Sequence, residues 1–193
     1  MKKKLPGSGP QAVFTLKVTL LGSEPPIWRR VRLPADATLD ALHEVLQEIF
    51  DWDGNHLHVF IQNWRGRDRI YFSDPLNLDD CEDELDFPIA HLLKRTGGKC
   101  HYEYDLGDSW MHEIVLEKVS KEPVRPSTAV CMAGARAAPL EDCGGLFGFY
   151  HNLEVLKQPE HPEHADLMEW MSDYDPESFD LAAINRHLVK IKL

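Results

Sequence analysis

The 193-residue sequence has no long apolar run, since no stretch approaches the ~18 residues that a membrane-spanning helix needs. It also shows no secretory pattern near its start, because the lysines at positions 2–4 precede a Pro- and Gly-containing segment instead of an apolar one. The four cysteines are widely spaced and form no C-x-x-C pair: Cys81, Cys100, Cys131 and Cys143. We therefore expect a cytoplasmic protein with reduced thiols, no membrane association and a flexible tail over residues 1–10.

Positive charge is scarce: the chain has 21 Lys and Arg against 32 Asp and Glu, which gives a net charge of −11. A surface this acidic repels phosphate backbones and disfavours nucleic acid as a partner. DNA binding would need a local basic patch, for which residues 29–32 and 65–69 are the best candidates. We favour the alternative that these arginines are solvated, on a strand and in a polar turn. A basic or neutral protein is the partner that this composition favours.

The hydrophobic pattern predicts an α+β fold. Alternating apolar and polar residues predict strands over residues 13–20 and 27–33, and Thr38 caps a helix that runs to about Phe50. The elements expected next are strands over residues 57–61 and 69–72, an exposed acidic loop over residues 73–87, and a short helix that begins at Pro88.

The composition changes after Lys118. Residues 120–145 are rich in Pro, Ala and Gly, so we expect a long loop without regular structure. Prolines then separate three predicted helices over residues 147–157, 162–172 and 179–190. These elements predict a single domain over residues 11–193, with a sheet core over 11–119, the loop over 120–145 and a helical extension over 146–193.

The clearest hairpin lies at residues 100–116, around the turn formers Gly107 and Asp108. A two-residue turn would set Glu103 opposite His112, as in an acid–base pair. A three-residue turn over residues 107–109 would set Tyr104 opposite His112 and Leu106 opposite Trp110. We favour the three-residue turn, because it places nearly every apolar side chain of the hairpin on one face.

A metal site is one hypothesis for the chemistry of this chain. His112, Cys131, Cys143 and either Asp142 or Glu141 are suitable ligand types, and zinc is the candidate cofactor. The eleven residues between the two cysteines match no common zinc spacing, which favours packing roles for the thiols.

Two histidines at alternate positions offer a second metal hypothesis. His56 and His58 share one face of the strand expected over residues 57–61. No third ligand lies near them in sequence, so we favour a polar outer face.

Hydrolysis is a third hypothesis, because Asp105, Asp108, His112 and Glu141 all belong to the hairpin or to the long loop. A general base needs a partner within hydrogen-bond reach, which spacing does not establish. The alternative is that Asp108 makes the turn and His112 packs in the core.

Two glycines before the helix expected at residue 147 suggest an anion site at a helix N-terminus. The backbone N–H groups of Gly144 and Gly145 suit an anion, whereas Glu141 and Asp142 oppose one. We favour the alternative that the glycines permit a tight turn.

Five blocks of sequence, taken in order, resemble one family. They are IWRRV at 27–31, the helix with Leu42-His43 that ends at Trp52, HLHVF at 56–60, YEYDLGDSWMH at 102–112, and EDCGG at 141–145. Together they resemble the plasmid pRiA4b ORF-3-like family, bacterial and archaeal proteins that recur on plasmids and beside insertion sequences. The resemblance covers roughly residues 11–185, and Pro139-Leu140 departs from the two prolines usual before Glu-Asp-Cys.

The resemblance implies an α+β fold but no mechanism. The order of two strands, a helix and two strands looks like a β-grasp sheet that the central hairpin extends. Our first functional hypothesis is a non-catalytic binding module associated with mobile elements. Its candidate ligand-binding residues are Trp28, Arg30, His58, Tyr104, Trp110, Gly144 and Gly145. The alternatives are a zinc-dependent hydrolase that uses residues 100–116 and 131–145, and a DNA-associated accessory of a transposable element.

Overall fold

The computed structural model describes residues 10–66 and 68–193, so the tail expected over residues 1–10 lies almost wholly outside the described residues. The strands are β1 Gln11–Leu20, β2 Trp28–Pro34, β3 His58–Gln62, β4 Ile70–Ser73, β5 Glu82–Asp83, β6 Lys99–Tyr104, β7 Trp110–Glu122 and β8 Val130–Ala135. The helices are α1 Leu39–Phe50, α2 Ile89–Leu92, α3 Gly145–Val155, α4 His164–Trp170 and α5 Leu181–Leu188. A 3₁₀ turn covers Glu84–Asp86.

The strands form one mixed sheet in the order β5-β4-β3-β6-β7-β1-β2-β8. Every neighbouring pair is antiparallel except β4 and β5, so the α+β class is as predicted. The β6–β7 hairpin lies in the middle of the sheet, between β3 and β1, and the expectation that it extends the sheet was wrong. The finer β-grasp description stays a prediction.

Helix α1 forms as its sequence predicts and covers one face of the sheet. The Thr38 hydroxyl accepts a hydrogen bond from the Ala41 N–H (3.2 Å), which satisfies one free donor of the first turn. Its apolar stripe, which includes Leu42 and Leu46, packs in the same core as Leu16 of β1. Because fully burying one such side chain contributes roughly 1.5–3 kcal/mol, this stripe fixes the helix on the sheet.

The hairpin turn is longer than predicted, and the favoured register was wrong by two residues. Tyr104 pairs with Trp110, and Tyr102 with His112. The turn spans residues 105–109, because Asp105 and Ser109 both adopt left-handed backbone conformations and the Ser109 N–H donates to the Asp105 carbonyl (2.6 Å). A shift of two residues keeps each side chain on its face, so His112 still points into the core.

Residues 120–145 hold more regular structure than predicted. Strand β7 continues to Glu122, and β8 pairs with β2, where Cys131 lies opposite Val31. The small residues of β8 provide little hydrophobic pattern, yet their backbone groups complete the edge of the sheet. The acidic segment 73–87 was likewise expected to be an exposed loop, but it contains β5 and the buried Glu84.

The three C-terminal helices lie within the predicted ranges apart from the start of α3, which begins two residues early. Asn185 of α5 bonds both backbone groups of Cys131: its Oδ1 accepts from the N–H (2.9 Å) and its Nδ2 donates to the carbonyl (2.9 Å). The helical extension is therefore fastened to the sheet edge. No helix in the described part of the chain combines the length and apolar character needed to cross a bilayer.

Candidate functional site

Three separate segments meet at the tip of the β6–β7 hairpin. Strand β3 pairs with β6, so the Asp105 N–H donates to the Leu57 carbonyl (2.8 Å) and residue 56 comes beside the hairpin turn. The segment 141–145, which precedes α3, packs against the same turn. We call residues 53–56, 105–109 and 141–145 the loop cluster.

Two of the predicted catalytic acids hold the loop cluster together. Asp108 Oδ2 accepts from the Gly144 N–H (3.1 Å). Glu141 accepts from the Tyr104 hydroxyl and from the Asp53 N–H (2.8 Å). Because these oxygens are engaged, Asp108 and Glu141 position loops and are not free carboxylates.

Gly145 is required by this packing. Its backbone has a φ of +65°, and a Cβ at this position would lie 2.5 Å from the Asp108 carbonyl oxygen. A glycine allows both the left-handed conformation and the close approach of the two loops. The tight-turn interpretation of this glycine therefore agrees with its geometry.

A histidine and two aspartates converge inside the loop cluster. His56 Nδ1 lies 3.7 Å from Asp105 Oδ2, and His56 Nε2 lies 3.4 Å from Asp142 Oδ1. One ligand atom from each residue lies within 4.8 Å of the other two, and no other such group of three occurs in residues 10–66 and 68–193. The three side chains therefore form the one candidate metal centre of the described chain.

Asp105 is the buried member of this group, with 8% of its surface exposed. Its Oδ1 accepts from the N–H groups of Gly107 (2.9 Å) and Asp108 (3.3 Å). Its Oδ2 makes no hydrogen bond within the described residues and faces His56. This oxygen is therefore available to solvent or to a cation.

The distances of 3.4 and 3.7 Å exceed those of ordinary hydrogen bonds, and they run to opposite nitrogens of His56. An ion takes one nitrogen of His56, so Asp142, whose side chain is 77% exposed, has to move toward it. Imidazole and carboxylate ligands together fit zinc.

The predicted metal set of His112, Cys131, Cys143 and Asp142 is not brought together. Of these four, only Asp142 belongs to a group of three ligands in the described regions. Burial raises the pKa of the Cys143 thiol to about 12, with Asp108 adding to the effect, and burial also raises the pKa of Cys131. Thiols that resist deprotonation are poor metal ligands.

His112 lies in the core and outside the loop cluster. It is fully buried, its ring contacts Phe50 (4.7 Å between centroids) and Trp52 (5.4 Å), and neither nitrogen has a hydrogen-bond partner among the described residues. Burial lowers the pKa of His112 to about 3, so the ring is neutral. A general-base role for His112 is therefore excluded by its place in the fold.

The predicted ligand-binding residues divide between several places. Tyr104, Gly144 and Gly145 border the loop cluster. Trp110 is fully buried in the core. His58 is also buried, and its Nε2 bonds to Glu84 (2.8 Å).

Trp28 and Arg30, the two remaining candidates for ligand binding, lie on the other face of the sheet. Arg30 lies over the Trp28 ring (5.1 Å) and pairs with Glu117 (2.6 Å), and Arg32 pairs with Glu122 (2.6 Å). In the second basic stretch, Arg69 lies over Trp64 (4.9 Å), while Arg67 lies outside the described residues. These contacts support our interpretation of Arg30, Arg32 and Arg69 as surface residues and not as a phosphate-binding patch. The same expectation was wrong for Arg29, which is buried.

A comparison with protein-family models identifies the family of this chain. A family model described as plasmid pRiA4b ORF-3-like protein matches residues 12–183. The chain belongs to this family. In this pRiA4b ORF-3-like chain, three of the five blocks that indicated membership, at 56–60, 102–112 and 141–145, meet at the loop cluster.

Two relatives are similar to this chain along most of their length. The uncharacterized protein y4hQ of Sinorhizobium fredii is 34% identical over 180 residues, which is 91% of this chain and 90% of that protein. The crystal structure of MM3350 from Methanosarcina mazei Go1, a protein of unknown function, matches with a TM-score of 0.78 and 34% identity, over 89% of this chain and 96% of the other. The relatives therefore support the fold and name no activity.

His56 is the site residue for which sequence reasoning found no partners. Its only sequence signal was its position two residues before His58. The missing ligands come from the hairpin turn and from the segment before α3, which only the sheet order brings to it.

Proposed function

We propose that this protein is a binding module that takes one divalent cation, Zn²⁺ in the first instance, between His56, Asp105 and Asp142. The observation that carries the proposal is the convergence of His56 and Asp142 on the largely buried Asp105, whose Oδ2 has no hydrogen-bond donor among the described residues. A cation at this point would satisfy that oxygen and offset the repulsion between two carboxylates.

The charge around the loop cluster supports a cation. Within the described residues, no Lys or Arg nitrogen lies within 4.0 Å of the carboxylates of Asp105 and Asp142, and the imidazole of His56 lies within that distance of both. Asp108 and Glu141 add negative charge nearby. The cluster therefore attracts cations and disfavours an anionic ligand.

The ion's role follows from where its ligands lie. Asp105 belongs to the hairpin turn and Asp142 to the segment before α3, so a shared ion would join these two loops. A non-catalytic module is favoured over a zinc hydrolase, because Asp108 and Glu141 are engaged in loop contacts and His112 is buried elsewhere. Three protein ligands leave a coordination position for water or for a group of a binding partner.

Zinc titration of the metal-free, tag-free protein tests the proposal. We expect about one Zn²⁺ per chain and a large loss of affinity in Asp105→Asn. Asparagine keeps the oxygen that caps the turn, so this variant removes the charge and preserves the loop. Asp53→Asn is the matched control, since the Asp53 side chain is exposed and lies outside the group of three.

The pH dependence of the titration provides a second criterion. Zinc binding requires a neutral imidazole and ionised carboxylates, so affinity decreases as the pH falls. Equal zinc affinity in Asp105→Asn and the unmodified protein, or no zinc binding at all, would contradict the proposal. His56 would then only join the two loops through its contacts with the aspartates.

A further inference from the structure

A buried arginine lies at the C-terminal end of α1. Arg29 of β2 is 3% exposed. Its Nε donates to the Ile49 carbonyl (2.6 Å), and its Nη1 donates to the carbonyls of Trp28 (2.9 Å) and Ala135 (3.0 Å). Its Nη2 makes no hydrogen bond, and no carboxylate lies within 4.0 Å of the guanidinium, within the described residues. One edge of the guanidinium is therefore without a partner.

Aromatic rings hold this guanidinium in place. Its central carbon lies 5.1 Å from the ring centre of Phe50 and 5.0 Å from that of Phe179. Gly134 permits this arrangement, because a Cβ there would lie 2.5 Å from the Phe179 ring. Burial lowers the pKa of Arg29 to about 10, so the group remains charged at neutral pH. The result is a fixed, buried cation that forms no direct ion pair among the described residues, while Asp51 acts on it from a greater distance.

Arg29 lines a cavity of about 250 Å³ between the end of α1, residues 137–140 and α5. Ile49, Phe50 and Ile184 supply apolar wall. The carboxylates that line it come from Glu48, Asp51, Asp173, Asp175 and Asp180. The cavity thus combines one buried positive charge with several acidic groups, all but Glu48 belonging to exposed residues.

We propose that this cavity binds a small aliphatic zwitterion of the α-amino acid class. Its carboxylate would accept hydrogen bonds from Arg29 Nη2, since guanidinium–carboxylate pairs are strong and directional. Its ammonium group would face the acidic residues, and its side chain the apolar wall. The same acids repel a dianion such as phosphate, so the cavity selects a ligand that carries both charges.

A structural role for Arg29 accounts for only part of its surroundings. The guanidinium bonds the Ile49 carbonyl in the last turn of α1, where a cation interacts favourably with the helix dipole. That role uses Nε, and Nη1 joins β8 to β2. Neither role involves Nη2, and neither explains why Arg29 lines a cavity.

Calorimetric titration with four probes tests the proposal: L-leucine, leucinamide, isocaproate and inorganic phosphate. L-Leucine is expected to bind more tightly than the other three. Leucinamide lacks the carboxylate and isocaproate lacks the ammonium group, so each loses one charged interaction, worth about ten- to hundredfold in affinity.

Two variants locate the site on the protein. Ala183→Leu places a larger side chain into the cavity and is expected to abolish L-leucine binding, while Ala182→Leu on the exposed side of α5 leaves it unchanged. Ala183→Leu keeps Arg29 and its three hydrogen bonds, so it does not depend on the stability of an Arg29 variant. Arg29→Lys removes the free Nη2 donor and is expected to weaken binding at least tenfold, with Arg30→Lys as the control on the opposite face.

Each remaining result overturns the proposal. If none of the probes binds, Arg29 has only a structural role. Equal binding of L-leucine and leucinamide, or unchanged binding in Ala183→Leu, would place any ligand elsewhere. Tighter binding of phosphate than of L-leucine would refute the zwitterion. Asp105→Asn leaves these results unaffected, because Asp105 does not line this cavity, so the two proposals fail independently.

Discussion

The buried imidazole of His112 makes the stability of the fold sensitive to acid. The pKa of His112 is lowered to about 3 by burial, from an ordinary value of 6.5 in the unfolded chain. Below about pH 6.5 the unfolded chain therefore binds a proton that the folded protein does not, and the free energy of unfolding falls as the pH falls.

The size of the effect follows from the same two values. Lowering the pH from about 7 to about 5 costs about 2 kcal/mol at His112, and the loss approaches ~5 kcal/mol near pH 3. His43, whose pKa burial also lowers to about 3, adds a loss of the same sign. Because small proteins are stable by only about 5–15 kcal/mol, the two rings are expected to dominate acid unfolding.

Urea unfolding of His112→Leu at the two pH values measures this contribution. Leucine is similar in size and removes two ring nitrogens that have no hydrogen-bond partner in the described structure, so the cost at pH 7 is expected to be small. The loss between pH 7 and pH 5 is expected to be about 2 kcal/mol smaller than in the unmodified protein. His43 contributes equally to both proteins and cancels.

The control is His151→Leu, because the His151 side chain is 48% exposed and this variant measures the effect of replacing a histidine outside the core. A chelator in all samples removes the pH dependence of metal binding. If His112→Leu loses as much stability on acidification as the unmodified protein, the ring is protonated or solvated in the folded state, and the argument from burial is refuted.

Two further predictions concern contacts that hold the loops and the extension. Gly145→Ala is expected to destabilise the protein by about 1–3 kcal/mol and to weaken zinc binding, since it adds a clash of 2.5 Å with Asp108 to a strained φ. Thermal melting measures the loss of stability. Gly97→Ala is the control in this assay, because Gly97 has a φ of +81° and open space around it, so its substitution adds backbone strain without a clash. Asn185→Ala is expected to cost about 1–3 kcal/mol and to speed hydrogen exchange in α5, because it removes both bonds to the Cys131 backbone. Exchange that stays unchanged would mean that apolar packing alone holds the helix.

Local pattern was sufficient to predict the elements with strong periodicity. The alternation of Phe14, Leu16 and Val18 and the cap at Thr38 predicted β1 and α1 closely. Local pattern also predicted correctly that His112 points into the core. The register error did not change this, because a shift by two residues leaves every side chain on the same face of the sheet. The two-residue error arose at Asp105 and Ser109, whose left-handed conformations depend on hydrogen bonds within the turn.

Long-range order could not be predicted from local pattern. Strand β8 lacks alternation and exists because β2 offers an unpaired edge. The position of the β6–β7 hairpin in the sheet brings His56 to Asp105, and the packing of the segment before α3 brings Asp142 to both. Long-range packing also explains why the burial of Arg29 was not predicted. Its strand pattern indicated a solvated side chain, whereas α1 and Phe179 cover it in the fold.

The central place of the β6–β7 hairpin has a consequence for synthesis of the chain. Strands β1 and β2 form at the start, yet the partner of β1 on its other side is β7, about 90 residues later. At 5–20 residues per second the ribosome needs roughly 5–20 s to deliver it. During this interval the backbone N–H and C=O groups on that side of β1 have no partner strand, so β1 is prone to pair with other nascent chains. We infer that chaperone demand during translation is greatest until residue 122 has left the ribosome.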